Sequence, residues 1–255
     1  MLKKLSMSLA LGAIGFAILL PCYAAAPAKI ATVAPIADLT AQADARVKAI
    51  EEALKDNDEY LKAKPKALPG DAAVLAVLAQ AIAESEEKAA WQATAPDVRE
   101  AALALGKTKT LDDAKKEFAA VKEAIGGKSS GAKVDYDWGK LARLGTVMDQ
   151  ITKRNSKFRL RSRKKDLPDT DIAEMIGDAT VLSILALAVH DDTHEVKSKK
   201  AEDIELWKKF AKDYQLQMTA TAAALKKKDM TGAIDSWKKS GMVCNDCHGK
   251  FKEGE

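Results

Sequence analysis

Apolar side chains recur along this chain at steps of three and four residues, and no run alternates with the period of a strand. Leu39, Ala43, Val47, Ile50 and Leu54 form one such series; Leu111, Ala114, Phe118, Val121 and Ile125 form another. Residues spaced this way share one face of an α-helix, so each series predicts a helix with a buried stripe. Composition agrees. Aromatic residues are only 5%, while alanine and lysine are plentiful, and these lose little freedom in a helix. The expected fold class is all-α.

Punctuation divides the helices. Pro65, Pro69 and Gly70 mark a turn ahead of a more deeply buried helix opening at Val74, Leu75, Leu78 and Ile82. A helix is expected from Trp91 to Leu105, kinked or divided at Pro96. Gly126 and Gly127 stop the Leu111–Ile125 helix. The stretch Gly126–Lys133, with three glycines and two serines, is the best domain boundary in the chain. Two helical bundles are therefore expected, at 37–127 and 135–255. In the second, Trp138, Leu141, Leu144, Met148 and Ile151 define one helix. Another runs from Asp171 to Val189, with Asp171 and Glu174 spaced like a capping box. A third covers Ala201–Leu225, and the last starts near Asp229.

The first residues read as a leader rather than as part of the fold. Lys3 and Lys4 precede an apolar run from Leu9 to Leu20, Pro21 and the small residues Ala24–Ala26. That is the layout of a secretory signal peptide, with 1–24 removed and the mature chain exported to a periplasmic or equivalent space without a membrane span. Cys22 could instead be the acylated residue of a lipoprotein, although Pro21 fits that processing poorly. Removal of the leader leaves two of the chain's three cysteines, Cys244 and Cys247.

Those two cysteines and the next residue form Cys244-Asn245-Asp246-Cys247-His248. Cys-x-x-Cys-His is the attachment sequence of a c-type haem: two thioether bonds hold the macrocycle and the histidine binds its iron. On a helix all three side chains can turn to one ligand. Ile234, Trp237, Gly241, Cys244 and His248 continue one stripe, which places the expected haem against Trp237 and near Gly241, with Phe251 closing the site. Two other readings stay open. A redox dithiol would sit beside a βαβ pattern, which is missing here. A zinc site could combine Cys244 and Cys247 with His190 and His194. A weak internal repeat also emerges: Leu111, Ala114, Phe118, Val121 and Ile125 align with Met230, Ala233, Trp237, Ser240 and Cys244. Lys128 then falls opposite Cys247 and Ser129 opposite His248, so 37–127 reads as a haem-less, degenerate copy of the bundle.

From Asp135 to the C-terminus the chain resembles the cytochrome c-prime family and its methionine-ligated, low-spin relatives. These carry Cys-x-x-Cys-His near the end of the last helix of a four-helix bundle, as Cys244–His248 stand here. The segment before Asp135 departs from the family. The resemblance implies one covalent haem c and a homodimer formed through the first two bundle helices. An enzyme acting at an open iron, such as a peroxidase, would need acid and base groups above it, and the buried face of the presumed distal helix offers only apolar residues and Met148, so no enzymatic activity is expected. The resemblance also implies two versions of the far side of the iron. A methionine from the first helix gives a six-coordinate electron carrier; an apolar lid over an open iron gives a binder of nitric oxide or carbon monoxide. Met148 matches the first position and Leu144, one turn earlier, would be the lid of the second. Met175 and Met218 are weaker candidates, and each methionine could equally be core filling.

Lys153, Arg154, Lys157, Arg159, Arg161, Arg163, Lys164 and Lys165 crowd thirteen residues. Export argues against nucleic acid as their partner. They are expected to form a solvated loop or a docking surface for an acidic redox protein.

Overall fold

The computed structural model describes residues 29–252; the expected leader 1–24 and Cys22 lie outside the described residues. Ten α-helices and two 3-10 turns, with no strand, make up the regular structure of those residues. The fold is all-α.

The first set is α1 (Ile30–Val33), α2 (Ile36–Ala53), α3 (Asn57–Ala63), α4 (Ala67–Glu84), α5 (Ala95–Leu105) and α6 (Leu111–Ile125). Pro69 and Gly70 fall inside α4 rather than in a turn before it. A proline in the first helical turn loses nothing, because that amide has no intrahelical acceptor. Pro96 does divide its segment: Gln92–Thr94 is a 3-10 turn, and α5 starts around the proline. The start of α6 is capped by the Thr110 hydroxyl, which accepts from the Asp113 amide. Its end is a Schellman motif, in which Gly127 donates to Ala124 and Lys128 to Glu123. Gly127 sits at φ +96° to make that closure.

The second set is α7 (Leu144–Arg161), α8 (Asp169–Asp191), α9 (Ala201–Lys226) and α10 (Met230–Phe251). The stripe expected to run unbroken from Trp138 to Ile151 is split, with Trp138–Lys140 a 3-10 turn and α7 beginning at Leu144. Much of the basic stretch is helix rather than loop. Arg154 is buried and faces Asp178 at 3.5 Å. Arg161 pairs with Asp171, Glu174 and Asp178, and Lys164 with Asp171 at 2.6 Å. Asp171 and Glu174 therefore bind the preceding helix instead of capping α8, which has no side-chain cap.

Successive long helices pack against each other in both sets, and α2 and α4 also meet α8 and α7. One apolar core runs from Ile30 to Met218 across both sets. Its centre is α4 and α8. Both are long and apolar enough to cross a membrane, and 72% and 61% of their apolar windows are buried by neighbouring helices. A smaller core of Phe158, Met175, Leu225 and Ala233 fills the end where α9 turns into α10.

The glycine-serine stretch between the sets is tied down. Asp97, 5% exposed, accepts from Ser129 Oγ, from the Ser130 amide and hydroxyl, and from the Ala132 amide. Buried Arg99 donates to the carbonyls of Lys133 and Val134 and lies 4.2 Å from the centre of the Tyr136 ring.

Candidate functional site

In the second set α7 and α10 meet at one end and part at the other. At the closed end Phe158 stacks on Trp237 with ring centres 5.0 Å apart, and the Trp237 indole donates to Asn155 Oδ1 at 3.2 Å. Toward the start of α7 and the end of α10 the helices separate around a cleft of about 1250 Å³. That exceeds the roughly 300–1,000 Å³ of an ordinary small-molecule site.

Leu144, Met148 and Thr152, one turn apart on α7, line the cleft, as do Cys247, His248 and Phe251 on α10. The sequence-predicted histidine, one cysteine and the candidate methionine thus share one space. Cys244, one turn before Cys247, is half-buried against the core beside Tyr214 of α9. The Tyr214 hydroxyl accepts from Asn155 Nδ2 at 3.5 Å. Both cysteines are free thiols. Burial pushes each up to about 11, so they carry their protons at neutral pH. His248 is exposed to the cleft and Met148 is half-buried. Met175 and Met218 are fully buried in the two cores, away from the cleft.

The aromatic wall differs from the one expected. Trp237 belongs to the closed end, and Gly241 is exposed with open space where a β-carbon would stand. In their place Trp207 of α9 lines the cleft, meeting Phe251 edge-on at 5.4 Å. Its indole donates to the Val189 carbonyl at 2.7 Å, which locks the ring against α8. Sequence reasoning missed Trp207. The signal was present as a tryptophan one helix turn before Ala211 and two before Tyr214 and Gln215, all four buried.

The last residue of α8, Asp191, and the turn after it, with Asp192, His194 and Glu195, form the cleft's polar rim together with Lys140 and Arg143. His194 is held above its ordinary pKa, first by its hydrogen bond to Asp192 and further by Glu195. His190 bonds Asp191 at 2.6 Å. The two histidines are therefore engaged with local carboxylates rather than gathered to Cys244 and Cys247. Among the described residues no three His, Cys, Asp or Glu side chains stand together to hold a metal ion.

The residues present fit a covalently attached haem. Two neutral thiols and a histidine lie within five residues of one helix, with Cys247 and His248 lining the cleft and Cys244 beside Tyr214, and the facing helix presents Leu144 and the Met148 thioether among Thr146, Asp149 and Thr152. No family model, no curated protein and no solved structure matches this chain.

Proposed function

We propose that the chain is an exported monohaem c-type cytochrome whose task is electron transfer. The observation that carries this reading is the cleft itself, with Cys247 and His248 on one wall and Met148 on the other. Cys244 and Cys247 would hold the macrocycle by thioether bonds, His248 would bind the iron from α10 and Met148 from α7. Haem supplies a one-electron couple when bound, and a His/Met ligand pair favours a high reduction potential. The chain's own part is to fix both ligands on rigid helices and to keep water off with Leu144, Trp207 and Phe251. Leu144 beside Met148 supports a second reading, in which Leu144 lids an open iron that binds nitric oxide or carbon monoxide. An acidic redox partner would use the exposed cations Lys153, Lys157, Arg159, Arg163 and Lys165. Lys157 and Arg159 lie roughly 14–17 Å along α7 from Met148.

The Met148→Ala variant tests the ligand. As a carrier, the reduced protein is expected to lose its sharp low-spin bands, to gain carbon monoxide binding and to fall in reduction potential. An unchanged spectrum and potential would remove Met148 from the iron and leave the open-site reading.

A further inference from the structure

The two helix sets match residue for residue well beyond their shared helical period. Gly70–Glu84 of α4 and Gly177–Asp191 of α8 read GDAAVLAVLAQAIAE and GDATVLSILALAVHD, identical at eight of fifteen positions. On the preceding long helices, Leu39, Gln42, Ala43, Arg46 and Ile50 of α2 correspond at one constant spacing to Val147, Gln150, Ile151, Arg154 and Phe158 of α7. Val98, Ala102 and Leu105 of α5 correspond to Met218, Ala222 and Leu225 of α9, all six buried. In the last pair, Thr110 and Asp229 cap α6 and α10 in the same way, and Ala114 and Ala233 are both fully buried. A helical period alone does not demand the same Gly-Asp pair, caps and long-range partners.

The contacts between the sets are reciprocal. A β-carbon at Gly70 of α4 would collide with the Gln150 amide of α7, and one at Gly177 of α8 with the Gln42 amide of α2. Within each set an equivalent charge pair stands beside that contact: Arg46 with Asp71 at 2.9 Å in the first, and Arg154 facing Asp178 at 3.5 Å in the second. All four charges form one cluster. Burial, then the Arg46 charge, draws Arg154 down to about 10, while Asp178 and Asp71 oppose that fall. An interface in which i meets j and the equivalent of j meets the equivalent of i is that of a two-fold dimer. Here both sides belong to one chain.

The copies differ where the cleft's chemistry lies. The counterparts of Leu144 and Met148 are Ile36 and Thr40; those of Cys244, Cys247 and His248 are Ile125, Lys128 and Ser129. Ser129 is instead a donor to buried Asp97. We infer that the first set is a second copy of the bundle that lacks the attachment residues and serves as a built-in partner subunit. It covers the α7–α8 face that a lone bundle would offer to another copy, and the working molecule is a single chain with one such site. This holds whether or not haem occupies that site.

Light scattering of the full mature chain is expected to give the mass of one chain. Amide hydrogen exchange then reads the contact. Gly70→Leu, which puts a side chain where the Gln150 amide packs, is expected to speed exchange about tenfold in α7 of the second set. Gly177→Leu is expected to give the reciprocal reading at α2 of the first set. If either does not fold, the smaller Gly70→Ala and Gly177→Ala give the same two readings. A wild-type dimer, or changes confined to the set that carries the substitution, would overturn the inference. Both readouts work on haem-free protein, so failure to attach haem would count against the functional reading and not against this one.

Discussion

Asp97 shows what one buried carboxylate does to a glycine-serine stretch that would otherwise be a loose linker. Burial alone would raise its pKa, but hydrogen bonds from Ser130, Ala132 and Ser129 outweigh this and hold it below the ordinary 3.8. A carboxylate with a lowered folded pKa contributes fully above about pH 4 and loses that contribution as pH falls through the folded value. Asp97→Asn is therefore expected to cost about 1–3 kcal/mol at neutral pH and to flatten the loss of stability below pH 4. Urea unfolding at several pH values measures both; parallel acid limbs for variant and wild type would contradict the account. At this scale Cys244, Cys247 and His248 were legible as a motif because they stand within five residues of one helix; that Cys247 and His248 line the cleft while Cys244 sits beside Tyr214 was not, since packing on α9 decides it. Trp207 was legible as one of a helical series with Ala211, Tyr214 and Gln215, but not as a wall of the cleft, which it reaches only through the packing of α9 on α8. Trp237 was misplaced for the same reason: its stripe is right, but the partner that covers it is Phe158 of α7.

Helix ends separate what local pattern decides from what packing decides. The end of α6 was legible because Gly126 and Gly127 are local signals with local hydrogen bonds, whereas its start was read from the apolar stripe and the Thr110 cap emerges only in the structure. Gly127→Ala places a side chain at φ +96° and is expected to lower stability by about 1 kcal/mol, read as a lower thermal midpoint. An unchanged midpoint would mean that the Schellman closure carries no weight. The start of α8 was misread because Asp171 and Glu174 find a stronger use against Arg161 than as caps, and Arg161 was itself read as loop. The repeat was legible only in part. Aligning α6 with α10 compares the elements that diverged most, whereas α4 and α8 keep their Gly-Asp start because each glycine receives a glutamine from the other set.

At the scale of the whole molecule, two similar helix sets share one continuous core, and the cleft opens where the second set's first and last helices part. All-α architecture was readable from period and composition. The polar rim was not, because Asp191 at the end of α8 and Asp192, His194 and Glu195 in the turn after it join Lys140 and Arg143 only in the folded chain. The proposed function rests on covalent haem at Cys244 and Cys247. An absorption spectrum of the exported protein, oxidised and reduced, after acid-acetone extraction tests it most directly. The account predicts that the haem stays with the protein and that the reduced form shows sharp α and β bands. The absence of any haem band from protein made in cells with working haem-attachment machinery would contradict it.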